Sequence, residues 1–327
     1  MKNNLKTDLP KITFSVVTLN EEKRIRRCLD AINAQQYPKE KIEIIVMDGG
    51  SNDRTVAVAE EYSTKIYFNK RKLAEPGLVE AYEKATGDYM VFMAADNIIF
   101  DKKWTKKIIQ PFLDNPEGVF ASFSRVTNDQ KDNIWNKYMN EDVEPFSAFV
   151  FGNASHPDKF GKIYSIQKET PDYVIYNYTL KDFPLIALAQ CTILKTKLRR
   201  KGSHFDDILP LIEIINDGGK IAYVKNTGVY HYSINNFSNM CQKFKRRIYN
   251  SIMTNSFASR EEYVSSTRKI KRYIFLIYGL TILFPLIDGI GMTLQKRKFY
   301  MLLHPIVCFI ISFYILFNFL QISLWKK

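Results

Sequence analysis

Three apolar runs in the first hundred residues each end in a polar or acidic cluster. Phe14-Ser15-Val16-Val17-Thr18 runs into Leu19-Asn20-Glu21-Glu22, the run 42–47 ends at Asp48-Gly49-Gly50-Ser51, and the run 89–93 ends at Ala94-Ala95-Asp96-Asn97. These runs read as buried strands, whereas 21–35, 53–62 and 77–86 carry helical patterns. Strands alternating with helices predict an α/β fold with a mostly parallel central sheet, because parallel neighbours need a crossover and a helix supplies it. In such sheets ligands bind beyond the carboxyl ends of the strands. The three clusters should therefore meet in one crevice.

Farther along, residues 122–183 are rich in Asn, Asp, Tyr and Pro, with strand-like pieces at 148–151 and 173–178, as expected of a loop-rich segment that shapes a pocket. Regular patterning resumes at 185–195, followed by a helix over 207–216, a stop at Gly218-Gly219 and a strand over 220–224. Residues 237–272 form a basic amphipathic stretch suited to a membrane surface. Beyond it, 273–295 and 300–325 are apolar, each long enough for the roughly 20 residues that a helix needs to cross a bilayer. The expected division is a domain over 1–236, a connector over 237–272 and a membrane-associated helical hairpin over 273–327. Two topologies are open for that hairpin. If both segments span, the loop Lys296-Arg297-Lys298 falls on the far side, against the preference of basic loops for the cytoplasm. Pro285 and Asp288 interrupt the first segment, so a re-entrant or interfacial hairpin is the alternative.

The net charge of +13 fits either nucleic acid or an anionic membrane surface, and its distribution favours the membrane. Lys243, Lys245, Arg246 and Arg247, then Arg268, Lys269, Lys271 and Arg272, then Lys296 to Lys298 all crowd around the apolar tail. Juxtamembrane cations gain about 1 kcal/mol each beside acidic headgroups. A solvated helix face is the plainer reading of the 243–247 run. Cys28, Cys191, Cys241 and Cys308 lie far apart, which suggests neither a zinc site nor a disulfide framework, and Cys28 and Cys308 fall in apolar surroundings expected to pack them. The first residues carry no apolar core of a signal peptide, so the polar part of the chain is expected on the cytoplasmic side of the cell membrane.

Taken with their order and spacing, four motifs over roughly residues 10–235 resemble the family 2 glycosyltransferases of the GT-A nucleotide-sugar-binding fold. Val17, Thr18, Leu19, Asn20 and Glu21 match the strand end that holds nucleotide base and ribose in that family, and Asp48, leading Asp48-Gly49-Gly50-Ser51-Asn52-Asp53-Arg54-Thr55, matches the acid that contacts the base. The segment 85–97 resembles the strand that ends in two acids around one residue; Asp96 matches the second acid, and Ala94 replaces the first. The resemblance implies a divalent ion, Mn²⁺ or Mg²⁺, at Asp96, and such ions accept few protein ligands when phosphates and water complete the shell. Lys72, in Asn69-Lys70-Arg71-Lys72, is a candidate for the diphosphate, although Lys70 and Arg71 are equally placed. Phe205-Asp206-Asp207, Gly218-Gly219 and Val229-Tyr230-His231 resemble the family's closing motif. The match implies Asp207 as general base and His231 as a metal or diphosphate contact. Acids before a helix are also frequent caps, and a lone histidine after a strand is often packing.

The implied activity is an inverting, metal-dependent hexosyl transfer from a nucleotide sugar, UDP-linked by family default, to a hydroxyl of a lipid-linked or cell-surface glycan. Transfer to a polyprenyl phosphate is the alternative, along with a non-catalytic sugar-nucleotide-binding relative, given Ala94. A nicotinamide-binding site would need glycines directly after the first strand, where the chain reads Thr18-Leu19-Asn20-Glu21. Nucleic acid is not an expected partner.

Overall fold

The structure is a computed structural model that describes residues 9–142, 144–196, 208–253 and 266–325. The chain divides into two compact units, each discontinuous in sequence. The first comprises Met1–Val126, Tyr164–Tyr178 and Leu185–His231, and the second Thr127–Ile163, Thr179–Pro184 and Tyr232–Lys327.

The first unit is built on one mixed sheet. It starts with β1 (Ile12–Thr18), α1 (Glu22–Asn33), β2 (Ile42–Asp48), α2 (Thr55–Glu60), β3 (Lys65–Phe68), α3 (Ala74–Lys84) and β4 (Tyr89–Ala94). The strands β3, β2, β1 and β4 are neighbours in that order and all parallel, as the alternating pattern predicts. One strand escapes that pattern. β3 lies at the sheet edge with every residue at least partly exposed, so it shows no apolar alternation to read. Helix α1 buries Ile25, Cys28, Leu29 and Ile32, the one-face spacing of an amphipathic helix.

The sheet then continues with antiparallel pairings. After β4 come β5 (Asn97–Ile99), α4 (Trp104–Asp114) and β6 (Val119–Thr127), and later β7 (Ile166–Glu169), β8 (Tyr173–Tyr176), β9 (Gln190–Lys195), α7 (Leu209–Asn216) and β10 (Lys220–His231), with α5 and α6 belonging to the second unit. β9 pairs antiparallel with β4 and β6, and β10 with β8 and β5. β10 is longer than the stretch 220–224 read from sequence, and its far end is what carries His231.

In the second unit, α5 (Ile134–Asp142) and α6 (Pro145–Phe151) precede α8 (Phe237–Met253), α9 (Ser266–Thr281), α10 (Leu283–Lys296) and α11 (His304–Trp325). The strand expected over 148–151 is instead part of α6. Glu144 accepts hydrogen bonds from the backbone N–H groups of Phe146 and Ser147, and Pro145 opens the first turn, so local capping overrides the β propensity of Phe149-Val150-Phe151. Met240, Phe244, Phe275, Met301, Val307, Cys308 and Ile311 form the core of this unit. Gly279 of α9 lies where a Cβ would collide with Ser312 and the Cys308 carbonyl, so only glycine lets α9 and α11 approach this closely.

The first apolar tail segment is not one helix. It breaks at Ile282, which has a φ of 58°, and α9 and α10 meet at 88°. Among the described residues, 299–321 form the one helical segment long and apolar enough to cross a membrane; the α9–α10 pair qualifies only if counted as a single bent span.

Candidate active site

The parallel register brings the three sequence clusters to one sheet edge. Thr18 lies opposite Asp48, and Val17 lies opposite Ala94. The Thr18 carbonyl accepts from Gly49 N–H at 2.9 Å, and the Val17 carbonyl accepts from Ala95 N–H at 3.1 Å. Val17 is buried, so its backbone and not its side chain shapes this edge. The Thr18 hydroxyl, by contrast, is buried without a hydrogen-bond partner among the described residues.

Asp48 organises the turn that follows it. Its Oδ2 accepts from the Gly50 and Ser51 N–H groups at 2.8 and 2.9 Å, and its Oδ1 accepts from the Ser51 hydroxyl at 2.5 Å. Gly50 has a φ of +88°, a conformation that favours glycine. A carboxylate offers about four acceptor positions, so three local bonds leave Asp48 room for one more donor. Asn20, at a φ of +56°, donates its N–H to Ser51 and accepts from Asn52 N–H at 2.9 Å, which braces the loop after β1 against the loop after β2. Glu21 sits beside the edge, but its carboxylate pairs with Arg24 at 2.7 Å. Asp53 is also a bracing group: burial raises its pKa, but hydrogen bonds from the Thr55 hydroxyl and amide outweigh that and hold it below the ordinary value.

Around this turn stand Leu19, Phe68 and Lys72. A Cβ on Gly49 would lie 3.5 Å from Leu19, and one on Gly50 would lie 3.1 Å from the Phe68 ring and 3.8 Å from Lys72 Cε. Phe68 is 56% exposed, unusual for an aromatic ring, and offers a flat apolar face beside the Asp48 turn. Lys72 is exposed and close enough to reach an anion there. Of the three basic candidates before α3, it is the one this geometry sets against the turn.

Asp96 and His231, far apart in sequence, come together. β5 pairs with β10 so that His231 lies opposite Asn97, and His231 Nε2 stands 3.7 Å from Asp96 Oδ2. Both side chains are partly exposed. Asn97 is buried, and although its amide N–H₂ donates to the Ala189 carbonyl at 3.1 Å, its own Oδ1 has no partner among the described residues. Behind them, Cys28 and Cys191 are fully buried. Burial pushes both thiols up, with the Asp96 charge adding to the effect, so both stay protonated and inert. Cys191 is the extra residue where the β4–β9 register shifts, and it has a φ of 61°.

Asp96 and His231 could hold a divalent cation as a two-ligand platform of one oxygen and one nitrogen. Among the described residues no group of three or more His, Cys, Asp or Glu gathers, so such an ion needs phosphate oxygens and water for its other positions. Asp207 lies outside the described residues.

Comparison with known proteins fits this architecture. The model of glycosyl transferase family 2 matches residues 13–179, half of the chain. The chain belongs to that family. A Methanococcus voltae protein named dolichyl N-acetyl-alpha-D-glucosaminyl phosphate 3-beta-D-2,3-diacetamido-2,3-dideoxy-beta-D-glucuronosyltransferase is 35% identical over 91 residues, 26% of this chain and 28% of that protein. The Haloferax volcanii glycosyltransferase AglE is 34% identical over 95 residues, 27% of this chain and 31% of that one. Both matches thus span about a third or less of these relatives. Among solved structures, the Pyrobaculum calidifontis mannosyltransferase PcManGT, in complex with GDP-Man and Mn²⁺, aligns with a TM-score of 0.54 at 16% identity, covering 95% of this chain and 88% of that one. Residues 1–349 of S. aureus TarS, in complex with UDP-GlcNAc, align at 0.51 and 15% identity, covering 94% and 89%. The fold is therefore GT-A.

In this member of glycosyl transferase family 2, three groups at the edge are not singled out by the sequence pattern. Phe68 sits on the edge strand that the pattern missed. Asn97 closes the Ala94-Ala95-Asp96-Asn97 cluster in sequence, and only the fold shows its side-chain carbonyl buried without a partner among the described residues. Ser51 reads as a turn residue, yet it satisfies both Asp48 and Asn20.

Proposed function

We propose that this glycosyltransferase moves a sugar, with inversion, from a nucleotide-sugar donor, UDP-linked as the working assignment, to a hydroxyl of a lipid-linked or cell-surface glycan at the cytoplasmic face of the membrane. The observation that carries the reading is the approach of Asp96 and His231 to 3.7 Å at the strand edge that also holds Thr18 and Asp48. The nucleotide lies over the ends of β1 and β2, with Val17 to Glu21 shaping the base and ribose site and Asp48 accepting from a ring N–H through its remaining lone pair. Thr18 offers its unpartnered hydroxyl to the same ligand. Lys72 faces the diphosphate. A divalent ion held by Asp96 and His231 would offset the charge that develops on the diphosphate as the sugar leaves. Asp207 takes the proton of the attacking hydroxyl, and one attack assisted by one base inverts the anomeric carbon.

The Methanococcus voltae relative, named for transfer onto a dolichyl phosphate-linked sugar, supports a lipid-linked acceptor. The division of labour proposed is catalysis by 1–236, surface attachment by 237–272 and anchoring by 273–327.

Calorimetry of UDP binding with and without Mn²⁺ tests the reading. Wild-type affinity should rise at least tenfold with the ion, and both Asp96→Ala and His231→Ala should lose most of that increment. UDP binding indifferent to metal in the wild type would overturn the metal assignment. Metal-dependent binding without turnover on any lipid-linked saccharide would favour the non-catalytic alternative left open by Ala94.

A further inference from the structure

In the second unit, both ends of the bent α9–α10 pair are tied to segments that the chain joins directly to strands of the sheet. At the start of α9, Arg268 pairs with Asp182 at 2.8 Å and donates to the Lys181 carbonyl at 2.7 Å. Asp182 belongs to residues 179–184, a short excursion with strands of the sheet before and after it. Just past the end of α10, Lys298 pairs with Glu141 of α5 at 2.7 Å. To cross a hydrocarbon core of roughly 30 Å, the link 128–133 and the turns of α5 before Glu141 would have to extend fully along the membrane normal, about 20 Å of link and about 10 Å of helix with nothing left over. Helix α5 also carries Lys137 and Glu141, groups that a hydrocarbon interior disfavours.

A polar chain crosses the same helices. Tyr278 of α9 donates to Asp288 of α10 at 2.6 Å, so its oxygen accepts from His304 Nε2 at 2.9 Å. Nδ1 of His304 is then the acceptor for Tyr138 of α5 at 2.7 Å. These bonds tie α5, α9, α10 and the start of α11 to one another. Asp288, an acid in an apolar segment, thereby has a protein partner where a lipid-facing position would give it none. The outer faces of α9 and α10 are apolar and exposed at Ile277, Leu283, Phe284, Ile287 and Leu294. Lys296 and Arg297 follow directly at the helix end.

We propose that α9 and α10 form a re-entrant hairpin bedded in one leaflet, with the loop Lys296–Lys298 on the same face as the sheet and in contact with anionic headgroups there. The break at Ile282 is then the turning point of the hairpin. A two-span tail would put Lys298 and Glu141 on opposite sides of the bilayer, incompatible with their ion pair. The arrangement also keeps a basic loop on the side that basic loops prefer. The proposal rests on the membrane attachment of the function proposed above.

The test uses the full-length chain with Cys241→Ser and one added cysteine, Lys296→Cys, labelled by a membrane-impermeant maleimide in vesicles of both orientations. Lys102→Cys, on the sheet-bearing unit, reports the catalytic face. Lys296→Cys should label at least tenfold faster from the face that labels Lys102→Cys, and Arg297→Cys repeats the measurement if the first variant fails to accumulate. Labelling from the opposite face, in protein that floats with vesicles of phosphatidylcholine and phosphatidylglycerol, would overturn the hairpin alone. A full-length chain that does not float with those vesicles would overturn the membrane reading itself.

Discussion

Two polar clusters, one in each unit, treat their groups in opposite ways. At the strand edge of the first, the Thr18 hydroxyl and the Asn97 carbonyl are buried without partners among the described residues, and Asp96 meets His231 at a distance longer than a hydrogen bond. Among the helices of the second, Tyr138, His304, Tyr278 and Asp288 form a chain in which each link is 2.9 Å or shorter. An unsatisfied buried polar group costs about 1 to 3 kcal/mol, a cost that a bound ligand can offset by supplying the missing partner. The contrast supports the proposed ligand-binding role for the first cluster and an architectural role for the second.

The largest expected effect tests the chemical side of that contrast. Asp207→Asn should lower turnover by about two to four orders of magnitude while leaving UDP affinity intact, the size of a general-base contribution. Single-turnover kinetics on a lipid-linked acceptor measure it. Wild-type rates would instead favour a phosphate acceptor, which is already anionic and needs no base.

The next effect asks whether a closed polar cluster can carry stability in the first unit as well. Glu43 accepts from Thr13 at 2.6 Å, from Lys65 at 2.7 Å and from the Thr86 N–H at 2.8 Å. Burial raises its pKa, but these partners outweigh burial and bring it down to about 2. A depressed carboxylate pKa stabilises the fold fully above the unfolded value, near 4.3, and that contribution is lost as pH falls towards 2. Acid unfolding followed by circular dichroism should show a loss on the order of 2 to 3 kcal/mol in that window, largely removed in Glu43→Gln, which is already destabilised at neutral pH. Identical acid profiles would show that the cluster contributes nothing measurable.

Asp48→Asn sharpens the boundary between the two kinds of cluster, because Asp48 belongs partly to each. It should weaken UDP binding by about 1 to 3 kcal/mol with or without Mn²⁺, through the one lone pair the turn leaves open. If binding is unchanged while the melting temperature falls, Asp48 serves only its turn.

The smallest effect belongs to the closed chain. Tyr138→Phe removes the donor to His304 Nδ1 and should cost roughly 1 kcal/mol of stability, with UDP affinity unchanged. A change in nucleotide affinity larger than the change in stability would break the distinction between the clusters.

Much of the first unit was legible because its strands are buried and end in recognisable clusters. The run of α1 and the parallel order of β1, β2 and β4 follow from periodicity that packing reinforces. The edge strand β3 was not legible, since a strand with no buried face shows no alternation. The 148–151 segment misled because Phe149-Val150-Phe151 favours a strand, while the decisive signal, the Glu144-Pro145 cap, lies just upstream. In the tail, hydropathy measures composition along the chain and is blind to the break at Ile282.

By itself the sequence determined the alternating architecture, the family and the residue types at each strand end, because these are properties of short segments and of their order. Which of those residues meet was decided by tertiary structure. Asp96 and His231 are adjacent only because β5 and β10 pair in one register, and Lys298 meets Glu141 only because the bent tail folds back onto α5. Local propensity is summed over a few neighbours, whereas these contacts arise from strand register and helix packing between residues more than a hundred positions apart.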